Sequence, residues 1–140
     1  MLASLEAGLA FSNAILGAVH AMAHSLGGYF DLPHGECNAI LLPGVVAFNY
    51  SACPERFDQV AAAMGIAVEQ VPTAERTAKL VGRIATLRSS VGIVDNVRRF
   101  GVEKSDVARL AGFALQDACM ATNPKLMQRS DVEAIYAAII

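Results

Sequence analysis

The stretch His20-Ala21-Met22-Ala23-His24-Ser25-Leu26-Gly27-Gly28-Tyr29-Phe30-Asp31-Leu32-Pro33-His34-Gly35 contains every histidine in the chain. His20 and His24 are one helical turn apart, so both rings project from one face of a helix. Gly27-Gly28 supplies a break with a left-handed cap, and His34 follows Pro33, where a new helix can begin. Two imidazoles from one helix and one from the start of the next form a corner suited to a divalent metal. The competing reading is ordinary packing of histidines in an apolar helix. Ala21 stands where a zinc-protease HExxH would need glutamate, so that signature is absent.

The surroundings are apolar. Residues 1–50 carry only Glu6, Asp31 and Glu36 as charged side chains, and no Lys or Arg. Desolvation there should strip histidine of its proton, and neutral imidazole is the metal-binding form. The run from Ala7 to Phe30 is uncharged, long enough to raise a membrane span or a signal peptide. Neither fits. Ser12, Asn13, His20, His24 and Ser25 interrupt the run, four glycines dilute it, and no basic residue flanks it. A helix buried within protein is the expectation, with no membrane partner.

At 140 residues the chain is expected to form one domain, with a net charge of −2. It has no basic stripe and no Trp, so nucleic acid is not an expected partner. Cys37, Cys53 and Cys119 form no CxxC pair, which suits a reduced, cytoplasmic protein. Neither GxGxxG nor GxxxxGK occurs, so no nucleotide-binding loop is recognisable.

Periodicity predicts an all-α chain without strands. Leu2–Leu26 reads as one long apolar helix, with a later start near Ser12 as the alternative. His34–Asn49 follows, with Pro43 expected to break or kink it. Pro54–Met64 is a short amphipathic helix stopped by Gly65. Pro72–Val91 has Thr73 as a candidate cap and Leu80, Ile84 and Leu87 as its stripe. Ser105–Met120 buries Val107, Leu110, Phe113 and Ala114. Ser130 and Glu133 match a capping box for a last helix presenting Ile135, Tyr136 and Ile139. Asn13, Gly17, His20 and His24 would share a narrow arc of one regular helix, a polar stripe fit either to line a site or to bond a neighbouring helix.

Residues 8–28 and Pro33-His34-Gly35-Glu36-Cys37-Asn38-Ala39-Ile40-Leu41-Leu42-Pro43 closely resemble the iron-containing alcohol dehydrogenase family. The likeness returns at Asp117-Ala118-Cys119-Met120-Ala121-Thr122-Asn123-Pro124-Lys125, similar to the family's terminal TNPR segment with Lys125 in place of Arg. It ends in the helix holding Asp131 and Tyr136. The fold implied is the helical, C-terminal half of a dehydroquinate synthase-like enzyme, whose other half is an α/β domain binding NAD(P).

The resemblance also implies roles. His20 and His34 match the last two ligands of a metal bound by one aspartate and three histidines. The aspartate and first histidine would come from a DxxxH helix, and this sequence contains no DxxxH. The chain is therefore expected to be a truncated product or one half of a split enzyme, inactive alone. His24 matches a third histidine near the metal, suited to a catalytic proton relay or to packing beside the ligands. Phe11 resembles a residue beside the nicotinamide and Cys119 one lining the substrate pocket; core packing is the alternative for both. The implied cofactors are a divalent metal, Fe²⁺ before Zn²⁺, and NAD(P). The implied substrate is a small alcohol or aldehyde, and the implied partners are a second copy or an N-terminal half. The rival reading is a helical oligomerisation or interaction domain without metal.

Overall fold

The structure, a computed structural model, describes residues 1–140 and contains seven α-helices and no strand. They are α1 (Leu2–Ala14), α2 (Ala18–Phe30), α3 (His34–Asn49), α4 (Pro54–Ala63), α5 (Thr73–Ser90), α6 (Val107–Gln116) and α7 (Arg129–Ile139). Short 3₁₀ turns at Tyr50–Ala52, Arg98–Phe100, Lys104–Asp106 and Ala118–Thr122 connect them.

The core forms where α2, α3, α6 and α7 meet. Helix α2 buries Ala18, Ala21, Met22, Ala23, Ser25 and Leu26. Three alanines on that face let α3 and α6 approach closely, while Met22 and Leu26 fill the space between them. From the facing helices come Cys37, Ile40, Leu41 and Val45 of α3, Leu110, Ala111 and Ala114 of α6, and Val132, Ile135, Tyr136 and Ile139 of α7. Each fully buried large aliphatic contributes roughly 1.5–3 kcal/mol. The Tyr136 hydroxyl donates to the Met22 carbonyl at 2.8 Å, fastening α7 to α2. Burial raises the Tyr136 phenol well above its ordinary pKa. A Cβ on Gly44 would lie 3.1 Å from Ile135 Cγ2, so α3 and α7 cross closely there and a larger residue would press on Ile135. A second, smaller cluster of Val46, Tyr50, Ala61 and Leu80 joins α3 to α4 and α5. Its polar edge is Asp58, which accepts hydrogen bonds from Tyr50 and Arg76.

Several elements differ from the sequence expectation. The long N-terminal helix is two helices, meeting at 104°. No single helix is long and apolar enough to cross a membrane. The break has identifiable causes. Gly17 is extended (φ −144°, ψ −161°), the Ala18 amide donates to Asn123 Oδ1 at 3.2 Å, and Thr122 Oγ1 donates to the Leu16 carbonyl. Ile15 takes φ 62°, a strained conformation for a β-branched residue. Asn13 therefore leaves the arc of His20 and His24 and bonds back to the Leu9 carbonyl. Helix α1 buries no residue, contrary to the buried helix expected.

Helix α2 also runs past Gly27-Gly28, because Phe30 packs on the core and Asp31 supplies the left-handed residue (φ 53°, ψ 41°). Helix α3 continues through Pro43 to Asn49 without a break. Thr73 makes no cap; its hydroxyl accepts from Arg76. The final capping box is Gln128 with Asp131, two residues ahead of the predicted pair. The expected 105–120 helix is a 3₁₀ turn capped by Glu103 and Asp106, then α6, then a second 3₁₀ turn after Asp117. Leu87 and Phe113 are exposed, whereas Leu80, Leu110 and Ala114 are buried as expected.

Candidate functional site

His20 and His24 rise from the middle of α2, and His34 is the first residue of α3. The turn between the helices is short and anchored. Asp31 reverses the chain, Leu32 is buried in the core, and Pro33 fixes the entry to α3. The result brings all three imidazoles together. Ring centroids are 5.3 Å apart for His20 and His34, 5.2 Å for His24 and His34, and 6.1 Å for His20 and His24. His24 and His34 are stacked, with 20° between their planes.

The electrostatics differ within the trio. His20 is half-buried, and burial lowers its pKa below the ordinary histidine value, with His34 and His24 adding to that and Asp117 opposing it. It is thus held neutral, the form that binds a cation. His34 Nε2 faces the Asn38 amide nitrogen at 2.9 Å, and the same nitrogen donates to the His34 carbonyl at 2.9 Å. Asn38 Oδ1 is buried without a partner.

His24 is paired across the fold. Its Nδ1 lies 2.8 Å from Asp117 Oδ2, a residue 93 positions later at the end of α6. The other carboxylate oxygen of Asp117 accepts the Cys119 amide at 2.8 Å. Burial works against ionisation of Asp117, but the Cys119 amide and the His24 ring outweigh it and hold the carboxyl below its usual range. The Cys119 thiol is pushed upward, by burial first and by Asp117 second. Donor atoms of His24, Asp117 and Cys119 all lie within 4.8 Å of one another.

Two clefts flank the cluster. One, of about 370 Å³, lies between α2 and α6 and includes His24, Tyr29, Phe113, Gln116 and Asp117. The other, of about 470 Å³, opens at the α1–α2 bend and includes Ile15, His20, Asn38, Leu42 and Asn123. The histidines therefore stand at a partition between an aromatic cleft and an aliphatic one. Of the residues singled out in the sequence, His20, His24, His34 and Cys119 come together. Phe11 does not: it stands half exposed on α1 and lines neither cleft. The sequence reading gives no functional role to Asp117 or Asn38, which the structure brings to the cluster. For Asp117 the signal was an isolated acid just beyond an apolar helix, two residues before Cys119.

A family model described as "Fe-containing alcohol dehydrogenase family, C-terminal" matches residues 1–140. The chain belongs to the iron-containing alcohol dehydrogenase family. Within that family it is 42% identical over 134 residues to the 1,3-propanediol dehydrogenase of Klebsiella pneumoniae, covering 96% of this chain and 35% of that protein. It is 40% identical over 130 residues to the lactaldehyde reductase of Escherichia coli (strain K12), covering 93% of this chain and 34% of that protein. The crystal structure of a 1,3-propanediol oxidoreductase superposes with a TM-score of 0.93 at 40% identity, over 99% of this chain and 36% of that one. The chain thus spans about a third of the length of these relatives and matches the helical, C-terminal part of the iron-containing alcohol dehydrogenases.

Proposed function

We propose that residues 1–140 act as one helical domain, the metal-ligand half of an NAD(P)-linked, cytoplasmic alcohol dehydrogenase, inactive alone. The supporting observation is the convergence of three imidazoles from two helices, with centroids 5.2–6.1 Å apart. His20 and His34 are the ligands in this reading. The donor set fits a divalent cation in kind, since His20 is held neutral. Two imidazoles make half of a four-ligand shell, and in this reading the other donors come from a partner domain. Nitrogen ligands with a carboxylate suit Fe²⁺, with Zn²⁺ as the alternative.

When bound, the metal would supply Lewis acidity toward the substrate oxygen, and the nicotinamide would supply hydride exchange. The chain's own residues do the rest. His24, whose Nδ1 is taken up by Asp117, exchanges the alcohol proton at Nε2. Cys119 lines the substrate pocket. Phe11 approaches the nicotinamide from α1, with the bulk of NAD(P) held by a partner α/β domain. Small alcohols or aldehydes are the substrates, in keeping with the propanediol and lactaldehyde named in its relatives.

The rival reading, an oligomerisation or interaction domain, draws support from α1, which buries none of its side chains. One experiment separates the two. The pure chain, with Fe²⁺ or Zn²⁺ and either nicotinamide, is expected to oxidise no 1,3-propanediol. Coexpression with the N-terminal two-thirds of a relative is expected to yield metal-dependent turnover that H20A/H34A abolishes. Turnover that persists in the double variant would overturn the ligand assignment, and none at all would favour the rival.

A further inference from the structure

We propose that Asp117 is a positioning residue for His24, fixing its ring as the Nδ1–H tautomer and leaving Nε2 as the free acceptor. The inference rests on the reading of His24 as the residue that handles the alcohol proton.

The geometry carries it. Asp117 ends α6 and opens the Ala118–Thr122 turn with extended backbone (φ −70°, ψ 136°). Its Oδ1 is fixed by the Cys119 amide, a bond within its own turn, so the carboxylate orientation is set by the backbone before the ring is considered. The remaining Oδ2 then faces His24 Nδ1 at 2.8 Å. The two residues sit on α6 and α2, which pack through Leu110, Ala111, Ala114 and Met22 in the main core. Their separation is therefore set by the core rather than by a mobile loop.

The chemistry follows from valence. An ionised carboxylate only accepts, so a neutral imidazole facing it must carry its proton on Nδ1. The environment of Asp117 favours the ionised form. Stacking on His34 fixes the plane of the ring but does not choose between its nitrogens. Asp117 makes that choice. In the oxidation direction, Nε2 takes the alcohol proton and the ring becomes imidazolium, with both nitrogens protonated. Asp117 keeps its charge and stabilises that cation without taking the proton. In the reducing direction the same proton returns to the alkoxide oxygen. Removing the carboxylate frees the ring to adopt the Nε2–H form, which has a donor where an acceptor is needed.

The test is nitrogen NMR of the metal-free chain labelled with ¹⁵N-histidine, about two pH units above the ordinary histidine pKa of ~6.5. The His24 signals are identified by their loss in H24Q. In the unsubstituted chain Nδ1 is expected in the protonated, pyrrole-type range and Nε2 in the bare, pyridine-type range. In D117A the ring is expected to turn mainly to Nε2–H, with the His20 and His34 signals and the helical circular dichroism unchanged. An Nε2–H ring in the unsubstituted chain would overturn the proposal without any variant. So would a D117A ring that keeps Nδ1–H. The readout concerns the resting ring alone. It is separate from the proposed proton transfer, which loss of turnover in H24Q of the coexpressed pair tests.

Discussion

Asn49 and Asn123 exchange hydrogen bonds, each side-chain amide donating to the other's carbonyl oxygen at 2.8 Å. The pair lines the same cleft as His20 and ties three elements together. Asn123 Oδ1 also accepts the first amide of α2, from Ala18, and Asn123 Nδ2 also donates to the Lys125 carbonyl. Gly17 passes so close that a Cβ there would stand 3.2 Å from Asn123 Oδ1.

Truncating Asn123 would leave the buried Asn49 amide and the Ala18 amide without partners. Each buried polar group left unsatisfied costs about 1–3 kcal/mol. N123A is therefore expected to lower the unfolding free energy by about 2–6 kcal/mol, read as a lower urea midpoint. N49A should cost less, because the Ala18 amide keeps its acceptor. An N123A midpoint equal to that of the unsubstituted chain would show that this network does not set the bend between α1 and α2.

His20 gives a pH dependence whose sign is fixed. Its pKa in the folded chain lies below 6.5, chiefly through burial. As pH falls below 6.5, the unfolded chain takes up a proton that the folded chain refuses. Stability then drops until the lower folded pKa is reached, where the difference levels off. Urea midpoints measured in steps from pH 7.5 downward should fall through this window. H20Q should show a shallower fall over the same range. Asp117 adds a separate dependence of the opposite charge type: its contribution is present above its ordinary value near 3.8 and is lost as pH falls through its lower folded pKa.

Metal binding by the chain alone should be weak, since two imidazoles lack the carboxylate that would hold a hard or borderline cation. Calorimetry with Zn²⁺ or Fe²⁺ is expected to show shallow, single-site binding that H20A/H34A abolishes and C119A leaves in place. Binding that survives H20A/H34A but disappears in C119A would move the site to the His24, Asp117 and Cys119 donors, which already lie within 4.8 Å of one another.

The sequence made the helical class and most helix positions legible, because apolar periodicity records which face is buried. α3 and α5 lie within one residue of their expected ends. The His20, His24 and His34 cluster was equally legible, because helical spacing and a short turn are local properties. What escaped was decided at long range. The break at residues 15–17 is fixed by Thr122 and Asn123, more than 100 positions away, and Gly17, which leaves room for Asn123, is its one local sign. The role of Asp117 escaped for the same reason, since its partner is 93 positions earlier. The last helix is capped by Gln128 rather than Ser130 because several Ser, Asp and Glu residues compete within one turn, and packing of the helix chooses among them.

The last prediction concerns α1. Leu2, Leu5 and Leu9 are spaced to share one face, and they are 68%, 61% and 58% exposed, with Phe11 at 51% nearby. The helix carries one charged residue, Glu6, and buries nothing. Each large apolar side chain left in water forgoes roughly 1.5–3 kcal/mol of burial. Contiguous apolar patches of this kind are rare on monomers and mark a contact surface. The chain on its own is therefore expected to associate through α1, most simply as a twofold dimer in which the same leucines meet across the axis. Light scattering at micromolar concentration should give a mass above 14.7 kDa. L5E/L9E should shift the chain toward monomer while its helical circular dichroism stays unchanged, because neither residue touches the core. A monodisperse monomer with little binding of a hydrophobic dye would show that α1 rests against the body of the chain in solution. Association that is unaffected by L5E/L9E would place the contact on another face, such as that carrying Tyr29 and Phe113.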